Sequence, residues 1–138
     1  MADSTDYRKW LSRANQDIKV VEIIQSEGIA GLEDACCYMS HQASEKLLKA
    51  FLLFHGERPY KTHDLIYLLK KCSKYDKSLR KVFDDASVLN EYAISTRYPS
   101  DFEDERTVKE AKAAYKHMIN IRDKVMTSIQ RELDVLEG

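Results

Sequence analysis

The sequence predicts an all-α chain, an antiparallel bundle of about five helices, and three observations carry that prediction. Only four of the 138 residues are glycine and two are proline, too few for the frequent turns of an all-β sandwich. Apolar residues recur at three- and four-residue spacing through long stretches, the signature of helices with one buried face. Hydrophobic residues make up 43% of the chain and charged residues 33%, which supplies one core and argues against full disorder. The length suits one domain, expected over residues 5–136.

The first helix is expected over 5–27. Ser4 or Thr5 can cap it, and Trp10, Ala14, Ile18, Val21 and Ile24 form its apolar stripe. Gly28 and Gly31 suit a helix end and the turn after it. The second helix, expected over 32–55 and stopped by Gly56, is apolar around most of its girth, which places it centrally in a bundle. After a loop holding Arg58, Pro59 and Tyr60, Thr62 is the expected cap of a third helix that runs to Lys71, with Asp64 in its first turn. A fourth helix is expected over 78–94 through Leu79, Val82, Ala86 and Leu89. Residues 95–104 form the longest polar break, and a fifth helix is expected over 105–136.

Net charge is −1, which advertises no broad nucleic-acid surface but leaves room for a local basic pocket. No stretch has the ~18 apolar residues of a membrane helix, and the first ten residues lack the apolar run of a secretory signal. The expected location is cytoplasmic, with no membrane partner. Cys36, Cys37 and Cys72 make an odd set without a C-x-x-C pair, so reduced thiols packed as small hydrophobes are expected.

Candidate site residues gather near the two prolines. Lys61, Thr62, His63 and Asp64 stand at an expected helix N-terminus, where outward N–H groups favour an anion. The plain alternative is that Thr62 only caps the helix and His63 only bonds a neighbour. Arg97 suits bidentate capture of phosphate or carboxylate, or a structural pair with Glu45 or Asp64. Tyr98, held extended by Pro99, can stack on a base. If the two loops meet, Tyr60 and Tyr98 with Lys61, His63 and Arg97 line one pocket. On the second helix Gln42, Glu45, Lys46 and Lys49 share a face, and Cys37, His41 and Glu45 form an i, i+4, i+8 line. That line is read as a polar seam, not a metal site, because no other helix offers a matching ligand pair. A buried Glu45 needs a partner, and Lys46, Arg97 and His63 are the candidates. No nucleophile elbow or Gly-rich phosphate loop is present. Asp84 and Asp85 read as solvated surface. The lysines at 109, 112, 116 and 124 read as solvent or subunit contacts.

Trp10-Leu11 with Ala14, Gln42-x-x-Glu45-Lys46-x-x-Lys49-Ala50, Lys61-Thr62-His63-Asp64-Leu65 and Arg97-Tyr98-Pro99 occur in that order. Together they resemble the HEPN family (higher eukaryotes and prokaryotes nucleotide-binding) over residues 7 to 129. The resemblance implies a HEPN-like helical bundle, often a homodimer and commonly encoded beside a small nucleotidyltransferase in toxin–antitoxin-like pairs. Some members are ribonuclease toxins, with an Arg followed four to six residues later by a His. Arg58 and His63 match that spacing. They depart from the pattern in the Pro59 that follows the Arg and in straddling a loop and a helix start.

The resulting expectation is a non-catalytic module that binds a nucleotide or other anion, a nucleotidyltransferase partner, or both. Its ligand-binding residues are Lys61, Thr62, His63, Asp64, Arg97, Tyr98, Tyr60, Lys46 and Lys49, beside a structural seam of Gln42 and Glu45. No metal and no cofactor beyond a bound nucleotide is expected, and RNA is the lesser partner. The alternatives are a ribonuclease using Arg58 and His63, with His63 as general base and Arg58 stabilising phosphorane charge, and a structural dimerisation bundle without ligand.

Overall fold

The computed structural model of the chain describes residues 3–93 and 105–138. Arg97, Tyr98 and Pro99 lie outside the described residues. Helix α1 is Tyr7–Glu27, α2 Glu33–Phe54, α3 Leu65–Cys72, α4 Phe83–Leu89 and α5 Val108–Glu137, and no strand occurs among the described residues. The all-α bundle of five helices is as the apolar spacing predicts.

Helix α2 is the axis of the bundle. Its buried residues lie on every side, from Cys36 through Leu47, Leu48, Phe51 and Leu52. Helices α1, α3 and α5 pack around it, and each offers only one stripe: Ala14, Ile18, Val21 and Ile24 from α1, and Ala111, Met118, Ile121 and Val125 from α5. A helix apolar all round gains most where neighbours cover it on several sides. Fully burying each large aliphatic side chain contributes roughly 1.5–3 kcal/mol. The three cysteines are free and buried.

The helix ends explain where the sequence reading shifts. Asp6, not Ser4 or Thr5, caps α1 and accepts from the Arg8 N–H at 3.0 Å. Ser4 supports the same corner, its carbonyl accepting from the Trp10 indole at 2.8 Å. Helix α2 ends at Phe54 and is closed by Gly56, whose φ of 86° lets the Gly56 N–H reach the Leu53 carbonyl and the Glu57 N–H the Leu52 carbonyl. That paired closure needs a left-handed residue, which glycine adopts without strain. Helix α5 begins at Val108 behind the cap Thr107, three residues later than expected.

The expected fourth helix is three pieces. A 3₁₀ segment, Lys77–Val82, leads into α4, and a second, Asn90–Tyr92, follows it. The buried residues Leu79, Val82, Ala86, Leu89 and Tyr92 are spaced by three except for one four-residue step, from Val82 to Ala86 on entry into α4. Three-residue spacing is the repeat of a 3₁₀ turn. Asp85 is buried, not solvated as expected, and its Oδ1 accepts from His117 Nδ1 at 2.8 Å and Asn120 Nδ2 at 2.9 Å. Helix α5 therefore meets α4 through a hydrogen-bonded carboxylate, whose burial those two donors offset. Asp84 is exposed as expected, as are Lys109, Lys112 and Lys116.

Candidate functional site

One line of α2 side chains builds the site. His41, Glu45 and Lys49 follow at i, i+4 and i+8, so they stack along one face. All three are buried: His41 is 0% exposed, Glu45 5% and Lys49 6%. Glu45 Oε2 accepts from Lys49 Nζ at 2.9 Å, and Glu45 Oε1 lies 2.7 Å from His63 Nδ1. His41 Nε2 lies 2.9 Å from the main-chain oxygen of His63. The Lys49 ammonium also sits 5.7 Å from the centre of the Trp10 ring, a cation–π contact with α1.

Of the candidate partners for Glu45 among the described residues, Lys46 and His63, it is His63 that meets it; Arg97 lies outside the described residues. Lys46 turns the other way. Its Nζ is 2.6 Å from Asp17 Oδ2, which ties α2 to α1. Adjacent helical residues point about 100° apart, whereas i and i+4 nearly align. So Lys46 cannot follow Glu45 and Lys49 to the same neighbour. Gln42 is half-buried beside the seam.

The loop before α3 presents His63 outward. Its side chain is 70% exposed, with Nδ1 on the buried carboxylate. The carboxylate fixes one ring nitrogen as the hydrogen-bonded one, and the other, Nε2, is left for solvent or a ligand. Neutral imidazole in this tautomer presents an Nε2 lone pair, and imidazolium presents an Nε2–H donor. Lys61 and Arg58 are exposed on the same loop, and neither has an ion-pair partner among the described residues.

The N-terminus of α3 itself is already occupied by the protein. Asp64 is the cap, in place of the expected Thr62, and its Oδ1 accepts from the N–H groups of Ile66 (3.0 Å) and Tyr67 (3.3 Å). Asn90 Oδ1 accepts from the Leu65 N–H at 2.8 Å, and the Asp64 carbonyl accepts from Leu68. Thr62 Oγ1 accepts from the Asp64 N–H at 3.1 Å, one step outside the helix. The four N–H groups that an incoming anion would use thus have internal acceptors.

Tyr60 is committed to a neighbouring cluster. Its hydroxyl and that of Tyr75 donate to the Glu57 carboxylate, and Lys71 lies over the Tyr60 and Tyr67 rings at 4.7 and 5.3 Å. The two residues that sequence spacing alone does not single out are Asn90 and Asp17. Each is polar, unremarkable in its own segment, and defined by a partner far along the chain.

A class of protein follows from the central α2, its flanking helices and the His63 loop: a small all-α module with a buried polar line on its central helix. The HEPN domain family model matches residues 7–130, and the chain belongs to that family. Two solved structures share its fold. An archaeal HEPN homologue, ST0689, is 22% identical over 89% of this chain and 97% of that one, with a TM-score of 0.69. TT1696 from Thermus thermophilus is 26% identical over 90% of this chain and 98% of that one, with a TM-score of 0.72. No curated protein sequence matches the chain.

No group of three or more His, Cys, Asp or Glu among the described residues is arranged to hold a metal ion. No helix among them is long and apolar enough to cross a membrane.

Proposed function

We propose that the chain is a non-catalytic HEPN module that binds a nucleotide or other anionic ligand at the exposed edge of His63, and that it works beside a nucleotidyltransferase partner as a homodimer. The observation that supports this reading is the Glu45–His63 pair: a buried carboxylate holds a mostly exposed imidazole by one nitrogen and leaves the other outward. As imidazolium, His63 donates from Nε2 to a phosphate oxygen, a charge-assisted bond. Lys61 and Arg58 extend the cationic edge. Arg97 and Tyr98, outside the described residues, remain proposed members. Lys49 and Asp64 act indirectly, because each already has an internal partner, and Lys46, held by Asp17, ties α2 to α1.

Titration with ATP, GTP and inorganic phosphate tests the reading. Binding that is lost in a folded His63→Ala protein supports it. No heat and no thermal shift with any of the three overturns it. Light scattering that finds a 16.0 kDa particle at all concentrations would remove the homodimer.

The same pair supports a second reading, a ribonuclease. A carboxylate that holds Nδ1–H leaves the Nε2 lone pair in the form a general base needs. Arg58 would stabilise phosphorane charge. RNA incubated with the wild-type protein, beside Arg58→Ala and His63→Ala, separates the two readings: cleavage that either substitution abolishes favours the nuclease.

A further inference from the structure

His63 is gripped twice from α2, and the second grip has no counterpart in the proposed ligand chemistry. The main-chain oxygen of His63 can only accept, so His41 Nε2 must carry the hydrogen at 2.9 Å. In the neutral ring His41 Nδ1 is then a bare acceptor. It is buried and has no hydrogen-bond partner. An unpaired buried polar atom costs stability, and an apolar side chain of similar volume at this position would avoid that cost. A residue filling the core has no need of the imidazole. What His41 supplies is one N–H, delivered to the loop that carries the site.

That loop is anchored on either side of His63, Tyr60 by Glu57 and Lys71 and Asp64 by Asn90, while His63 itself is held from α2. Residues 57–64 adopt no helix or strand, and among the described residues no other α2 side chain bonds the main chain of 58–64. His41 and Glu45 stand one helical turn apart on α2, so they reach the carbonyl and the ring of the same residue. The carbonyl bond sets where the His63 backbone lies, and the carboxylate then captures the ring. Without the first, the second must hold an exposed imidazole against its own rotamer and loop entropy.

We propose that His41 is the positioning residue of the site, its buried Nε2–H fixing the His63 carbonyl so that the His63 ring docks on Glu45 with Nε2 outward. The ligand-binding consequence rests on the function proposed above; the positioning role does not. Burial also pushes the His41 ring below the usual histidine range, the His63 carbonyl and Glu45 opposing that and the His63 and Lys49 charges adding to it. The donor is therefore a neutral N–H that does not depend on protonation.

Nitrogen-15 NMR of the His63 ring in wild-type, His41→Met and His41→Gln proteins tests this directly. Met keeps the volume and removes the donor, while Gln places an amide N–H where Nε2 stood. The expected result is a hydrogen-bonded Nδ1–H on His63 in the wild-type and His41→Gln proteins. In His41→Met the ring should become a mobile tautomer mixture, and affinity for ATP or inorganic phosphate should fall about tenfold, the size of one lost hydrogen bond. An unchanged His63 Nδ1–H signal in folded His41→Met overturns the proposal. If His41→Met does not fold, the wild-type protein decides: a scalar coupling across the hydrogen bond from His41 Nε2 to the His63 carbonyl carbon supports the proposal, and its absence overturns it. If neither probe binds wild-type protein while the tautomer shift occurs, the ligand reading fails and the positioning role stands.

Discussion

Asn90 and Asp64 hold each other across 26 residues of sequence. Asn90 Nδ2 donates to Asp64 Oδ1 at 3.0 Å, and Asn90 Oδ1 accepts from the Leu65 N–H at 2.8 Å. One amide thus closes both the cap carboxylate and the helix N–H beside it. It also joins the start of α3 to the 3₁₀ turn 90–92, after which the chain runs on to Arg97 and Tyr98. Asn90→Ala should therefore lower stability by about 1–2 kcal/mol, because it leaves two polar groups short of a partner. Thr62→Ala, which removes a bond outside the helix, should cost less than half of that. Urea denaturation of the two proteins checks the order.

The Glu45–Lys49 pair separates stability from function. Glu45→Ala leaves the buried Lys49 without its carboxylate, and roughly 3–5 kcal/mol of destabilisation is expected. Glu45→Leu combined with Lys49→Met removes both charges and should recover most of that loss. The double variant should still bind anions poorly, since His63 has lost its anchor. Denaturation and phosphate titration on the same samples test both halves.

Lys46→Ala should behave differently from any change at Glu45. Its pair with Asp17 is partly exposed, at 27% and 14% for the two side chains, so a loss of about 1 kcal/mol is expected. Anion affinity should not change. A marked loss of affinity in Lys46→Ala would return Lys46 to the ligand set.

His41 and Asp76 each contribute to the protein's pH dependence on its acid side. His41 is pushed down from the ordinary 6.5, chiefly by burial. The unfolded chain therefore takes up its proton first, and stability contributed above pH 6.5 is lost as pH falls toward the folded value. Asp76 acts lower. Burial pushes its carboxyl up, but the Ser128 hydroxyl, the Ser78 side chain and N–H, and Arg131 together outweigh that and hold it below 3.8. Its contribution is present above pH 3.8 and fades as pH falls through the depressed value. Thermal melts of wild-type and His41→Gln proteins between pH 7 and pH 4 should diverge, the variant losing less.

The cysteines should be inert in the native state. Cys36, Cys37 and Cys72 are all 0% exposed. Burial, with the nearby Glu110 and Cys36, raises Cys37 to about 12, and burial raises Cys72 well above the usual thiol range. A disulfide reagent at pH 8 should label none of them until denaturant is added, and then all three. Rapid labelling of folded protein would contradict the buried thiols.

The seam was half legible in the sequence. The i, i+4, i+8 line through His41 and Glu45 and the need for a partner to Glu45 follow from helical spacing and the cost of a buried charge. His63 was one of three partners consistent with those facts, and Lys46 was another. Only the rotation of α2 against α1 sends Lys46 to Asp17. Local sequence places the adjacent acids Asp84 and Asp85 alike on the surface. The burial of Asp85 depends on His117 and Asn120, more than 30 residues away, a distance over which no local pattern speaks.

Periodicity determined the helices and the central place of α2, and short motifs within single segments carried the resemblance to the family, because both are local properties of the sequence. The exact caps, the three-piece fourth element and the occupied N-terminus of α3 depended on contacts between segments. Asp64 is the cap and Asn90 bonds it, so the N–H groups at that helix end face the protein's own carboxylate and amide. Long-range pairing also turned a lone histidine in a loop into a group held by His41 and Glu45, since a side chain's direction is set by what it packs against as well as by its neighbours in sequence.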